Sequence, residues 1–135
     1  MQAIKVQTIA WLRADPLLAA YVAGRVYTVV PPEAPFPLIT IEAATARVRN
    51  HFRRAGRWVT LQVRAQSQAR DEEEVDTIAD QIVRVLEGAT VAPLGAYRSA
   101  AWSIDPTSSP PTYNDDLAGV VTRHRPVILR ILLSP

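Results

Sequence analysis

The sequence predicts an α+β fold: an antiparallel sheet of four to five strands with helices packed on one face. Three observations carry this. An apolar stripe of helical period follows Asp71, apolar and polar residues alternate from Gly56 to Gln68, and a proline-rich connection separates two N-terminal helical segments from the strands.

The N-terminal segment, residues 3 to 13, is expected to be helical, with Ile4, Ile9, Trp11 and Leu12 near one side. Asp15-Pro16 restarts the helix, Asp as N-cap and Pro at the first helical position, and Leu17, Leu18, Tyr21 and Val22 supply an apolar face before Gly24. Arg25 to Val30 is a short β-rich run. Pro31 to Pro37 cannot join a central sheet because each proline lacks the ladder N–H, so it is an extended surface connection that Phe36 anchors to the core. Leu38 to Val48 and Gly56 to Gln68 are strands of a long antiparallel hairpin whose tip is Arg49 to Gly56, with His51 and Phe52 in the tip. After them, Asp71 and Glu74 form a D-x-x-E variant of the capping box, and Val75, Ile78, Ala79, Ile82, Val85 and Leu86 form one buried stripe that stops at Gly88. Ala96 to Asp105 and Ala118 to Leu133 are further strands, joined by the polar loop Pro106 to Leu117. Pro126 places part of the last strand at a sheet edge or bulge.

The 135 residues are expected to form one domain, 1–135. A chain of this size buries roughly 68% of the surface its unfolded form exposes, so its core requires neither disulfides nor a structural metal. The sequence has no Cys, which excludes thiolate metal sites and cysteine nucleophiles. Met1 to Pro16 lacks a basic segment followed by an apolar one, so no signal peptide is expected. No apolar run reaches spanning length, and no membrane partner is expected.

The net charge is +2, yet Ala43 to Arg70 holds Arg47, Arg49, Arg53, Arg54, Arg57, Arg64 and Arg70 with no acid. That stretch is +7, and the other 8 basic and 13 acidic residues sum to −5. One basic segment on an acidic chain points to a polyanion or an acidic protein surface as neighbour. The alternative is a solvated hairpin whose arginines pair with acids of the same subunit or the next.

The enzyme motifs are missing: there is no G-x-G, G-K-[ST], H-E-x-x-H or G-x-S-x-G. His51 and His124 stand apart, and His124 is flanked by Arg123 and Arg125, which disfavour both protonation and a bound metal. Asp76 and Asp80 are one helical turn apart, a spacing that solvated carboxylates share with cation ligands. Neither a catalytic residue nor a cofactor is expected. Asp115-Asp116, with Tyr113 and Asn114, is read either as turn chemistry or as an acidic contact for a basic patch on a neighbouring subunit. Nucleic-acid binding by the Arg47–Arg57 hairpin is the competing class. Arg57 to Val63 offers Trp58 and then aliphatic residues, which supplies base stacking poorly. Trp11 and Trp102 read as core residues.

With the elements in order, the chain resembles the tail-completion or tail-terminator (head-tail joining) family of long-tailed phages and phage-derived gene transfer agents. The residues that carry the resemblance are the helix Ile9 to Ala20, the turn Gly24-Arg25-Val26-Tyr27, and the connection Val30-Pro31-Pro32-Glu33-Ala34-Pro35-Phe36-Pro37 running into Leu38-Ile39-Thr40-Ile41. Val59 to Ala65, Ile78 to Ile82 and Thr122 to Arg130 look like the family's remaining elements. The Pro106 to Leu117 loop departs from it.

The resemblance implies a structural virion protein with no active site and no cofactor, assembled in the host cytoplasm and located at the head-proximal end of the tail. It implies a homo-oligomeric ring, a hexamer, that ends tube growth and touches the tail tube protein and the head-tail connector or stopper protein. DNA would pass through the channel without sequence-specific binding. Arg47, Arg49, His51, Phe52, Arg53, Arg54 and Arg57 are the candidate subunit, tube or channel contacts, and Tyr113, Asn114, Asp115 and Asp116 a candidate partner-contact loop.

Overall fold

The computed structural model describes residues 2–51, 54–69, 71–87, 99–104, 113–117 and 119–134, with side chains for 4–42, 59–69, 71–87, 114–116 and 119–131. The elements are α1 (Gln2–Ala14), α2 (Pro16–Val22), β1 (Val26–Tyr27), β2 (Leu38–His51), β3 (Arg54–Ser67), α3 (Glu73–Glu87), β4 (Ser99–Ile104), β5 (Tyr113–Leu117) and β6 (Val120–Ser134).

The fold is α+β, with the helices on one face of a mixed sheet. Among the described residues six strands occupy five positions in the order β1-β2-β3-β6-β4, and β5 also pairs with β6. Because β3 pairs with β6 along Arg57 to Ser67, β4 and β5 both lie on the other edge of β6, β5 against Val120 to His124 and β4 against Leu129 to Ser134. Pro126 falls between these two partners, and among the described residues no strand pairs with it on that side, in keeping with the expectation of a sheet edge at this proline. The sheet is mixed because β1 runs parallel to β2, pairing Val26 with Ile39 and Tyr27 with Thr40.

The cap at the start of α2 forms as the sequence requires. Asp15 accepts a hydrogen bond from the Leu18 amide at 2.9 Å, and Pro16 begins the helix. Only Leu18 and Val22 of this seven-residue helix are buried, one turn apart, whereas Leu17 and Tyr21 are exposed. The broad apolar face expected of α2 is therefore narrower, since so short a helix offers a single turn to the core. The helix ends on Ala23 and Gly24, both at positive φ (48 and 77°), conformations that glycine adopts at no steric cost.

The turn that follows is held by two arginines. Arg13 donates to the Val26 and Gly24 carbonyl oxygens at 3.0 and 3.2 Å, and Arg25 donates to the Pro37 carbonyl at 2.9 Å. The proline-rich connection is thus tied back at its far end, and Phe36 within it is half-buried.

Helix α3 lies across the sheet with Val75, Ile78, Ala79, Ile82 and Leu86 buried and Val85 packed partly against them. They meet Val59, Leu61, Val63 and Ala65 of β3 and Val127, Leu129 and Ile131 of β6, in one core that also takes Ile4 and Leu12 of α1. Each large apolar side chain buried there contributes about 1.5–3 kcal/mol. The reciprocal capping box does not form. Asp71 accepts from the Glu73 amide at 3.2 Å, and Glu74 accepts from the hydroxyl of Ser67 at 2.7 Å. Ser67 is fully buried at the end of β3, and the carboxylate supplies the partner its hydroxyl needs there. Gly88, the expected stop, lies outside the described residues.

Candidate functional site

The basic hairpin is longer and its tip narrower than the sequence suggests. β2 and β3 stay in register from Leu38 opposite Gln66 to His51 opposite Arg54, with one irregularity between Ala43 and Thr45. Arg47 stands opposite Trp58, Arg49 opposite Gly56, and Arg57 opposite Val48. His51 and Arg54, expected in the tip, are paired strand residues, because the cross-strand ladder continues past the point where the sequence loses its alternation. Phe52 and Arg53 lie outside the described residues. β6 pairs with β3 only as far as Arg57, so the hairpin runs on beyond the third strand.

The segment Tyr113 to Leu117 is strand β5, where a loop was expected. It pairs with β6 from Leu117 opposite Val120, and Gly119 just before β6 has φ +80°. Asn114, Asp115 and Asp116 are exposed. Arg123 secures this hairpin to the rest of the molecule, donating to Asn114 Oδ1 and to the Ala69 carbonyl, each at 3.3 Å, while its Nη1 lies 3.7 Å from Glu72 at the start of α3. Residues 105–112 lie outside the described residues.

The two hairpins lie at opposite ends of the sheet. From Arg54 along β3 to Ser67, and from its partner Arg123 back to Val120, the rise of ~3.3 Å per residue places the ends about 50 Å apart. One end bears the arginine-rich segment, and the other bears exposed Asp71, Glu72, Glu73, Asp115 and Asp116. Five arginines of the basic segment thus lie toward one end of the strand axis or next to it in sequence, while Arg64, Arg123 and Arg125 lie toward the acidic end and pair there with Glu42, Glu72 and Asp76.

Arg64 is the arginine of the basic segment whose side chain is described, and it has an acid on its own subunit. Arg64 pairs with Glu42 across the β2–β3 ladder at 3.0 Å. Beside it, Gln66 donates to the Thr40 hydroxyl at 3.1 Å, both side chains buried. His124, opposite Gln66 on β6, is buried, and that burial, with Arg64 nearby, holds its pKa below 6.5 against the weaker opposing pull of Asp115 and Glu42.

Asp76 accepts from Arg125 at 2.9 Å and Asp80 is exposed, so the acidic pair on α3 is divided between an ion pair and solvent. Among the described residues no three His, Asp or Glu side chains gather as a metal site would require. Trp11 packs partly buried against the core, and the side chain of Trp102 lies outside the described ones. A shallow groove of about 260 Å³ between α2 and α3, lined by Leu17, Tyr21, Thr77, Asp80, Gln81 and Arg84, is a feature the sequence did not signal. Its apolar lining came from positions that helical spacing had assigned to the core.

In sequence, the profile of the family described as Tail completion protein gp17 matches residues 7–128. No curated protein sequence matches the chain. In structure, the chain is similar to a protein of the virion of a native gene transfer agent (GTA) particle, with a TM-score of 0.74 at 18% identity, covering 99% of this chain and 96% of that one.

Proposed function

Because the chain belongs to the tail completion protein gp17 family, and is therefore a structural protein of the virion tail, we propose that it closes the head-proximal end of the tail tube as a ring. The family match over residues 7–128 is the observation that carries this reading, and the shared fold with a gene transfer agent virion protein supports it. In the proposed assembly six copies meet through heterologous contacts. One face of the ring covers the last ring of tube subunits and stops their addition, and the other docks onto the connector or stopper protein beneath the head.

Charge assigns roles to the two ends of the sheet. Arg47, Arg49, Arg53, Arg54 and Arg57, with His51 and Phe52, meet acidic groups of a neighbour or the tube, or line the channel. Tyr113 to Asp116 provides an acidic partner surface. An arginine lining serves DNA passage without sequence reading, since phosphate contacts carry no base information.

The test is the mass of the purified protein by light scattering, alone and mixed with its tail tube protein, together with electron microscopy of the mixture. Rings, or tubes capped at one end only, are expected. A monomer that ignores tubes and binds DNA with a steep salt dependence would replace this reading with a basic nucleic-acid-binding module acting through the same hairpin.

A further inference from the structure

We propose that neighbouring subunits join by strand addition, the outer edge of β2 in one copy taking the outer edge of β5 in the next. This rests on the ring reading and names its seam. β1 covers β2 only at Ile39 and Thr40, and among the described residues no strand pairs with that edge from Ile41 to His51. A free edge of this length presents a row of N–H and C=O groups, which proteins block when it is not used. β2 contains no proline to block it. On the far side of the sheet, β4 and β5 are both outermost and, among the described residues, pair only with β6.

Charge decides which of these edges meets β2. Past Glu42 the free edge carries Arg47 and Arg49 and no acid, so β2 against a second β2 would bring two positively charged edges together. β4 is uncharged, whereas β5 carries Asp115 and Asp116, both exposed. Backbone hydrogen bonds along the added strand supply affinity, and arginine against aspartate supplies register. The two edges lie on opposite sides of one sheet, so each copy offers β2 to one neighbour and β5 to the other. That heterologous contact closes a ring when the rotation between copies permits.

The cysteine-free sequence allows the seam to be trapped in the full chain bound to tubes of the tail tube protein. Ala46→Cys is combined with Asn114→Cys or with Asp116→Cys to sample register, and the assemblies are oxidised. A ladder of covalent multimers is expected from a double variant, with single-cysteine variants stopping at dimers. Capped tubes without a ladder from either combination would overturn the seam and leave the ring reading in place. A wild-type chain that caps no tube would remove the ring reading, and the seam with it. Charge exchange is a second readout: Asp115→Arg with Asp116→Arg should lower tube-bound protein about tenfold, and adding Arg47→Asp and Arg49→Asp to the same chain should restore it. Failure of the exchange to restore binding, with all variants folded by circular dichroism, would equally overturn the proposal.

Discussion

Gln81 on α3 donates its side-chain amide, at 3.2 Å, to Oδ2 of Asp15, the same oxygen that accepts the Leu18 amide and caps α2. One carboxylate thus both starts a helix and fastens it to its neighbour. Asp15→Ala should cost about 1–2 kcal/mol, Asp15→Asn less, and Gln81→Ala under about 1 kcal/mol. In urea unfolding the double variant Asp15→Ala/Gln81→Ala should lose less than the sum of the two, because the shared oxygen is removed once. Strict additivity would show that the two bonds do not communicate.

Ile82 and Leu17 are both aliphatic residues on helices that meet, yet one is fully buried and the other 56% exposed. Ile82→Ala should destabilise by about 2–5 kcal/mol through lost burial and the cavity left behind. Leu17→Ala should stay within about 0.5 kcal/mol. Thermal or urea midpoints of the two variants check the contrast.

His124 makes stability depend on pH with a definite sign. Its folded-state pKa lies below 6.5, so near that pH the unfolded chain binds more protons than the folded one. The contribution is complete above 6.5 and is lost as pH falls from there through the folded-state value. Melting temperatures recorded between about pH 7.5 and pH 5 should fall for the wild type and fall less for His124→Leu. Parallel curves would place the titration elsewhere.

Arg53→Glu with Arg54→Glu should abolish ring formation or tube binding if the hairpin tip contacts a neighbour or the tube. If these arginines line the channel, capped tubes should persist while DNA passage or retention changes. Wild-type assembly and wild-type DNA passage in the same variant would dismiss both roles.

Elements built from local chemistry were legible from the residues alone. Asp15-Pro16 starts α2, the Val75 to Leu86 stripe is buried as spaced, and the β3 alternation of Val59, Leu61, Val63 and Ala65 sets the helix-covered face. Of the elements built by strand pairing, β5 was not. Tyr-Asn-Asp-Asp-Leu has poor strand propensity, and β5 exists because β6 offers it an edge. Glu74 left its expected capping role because Ser67, buried at the end of a strand, competes for the carboxylate. Of the candidate surfaces, the sequence located both charged segments, but only the sheet places them at opposite ends of one axis. Arg64 finds a partner on its own subunit because Glu42 stands one residue before the acid-free segment, a pairing visible only in register.

The position of β6 also sets an order of events during folding. β2 and β3 are consecutive and can zip from their shared tip, a local closure of small entropic cost. β3 then waits for a partner from far along the chain, since Ser67 pairs with Arg123 and Arg57 with Leu133. β5 and β6 are consecutive and pair locally from Leu117 opposite Val120, whereas β4 pairs, among the described residues, only with β6. The docking of β6 onto β3 is the non-local step of this topology, and a stabilised β2–β3 tip should speed folding only if that hairpin is already formed when β6 docks.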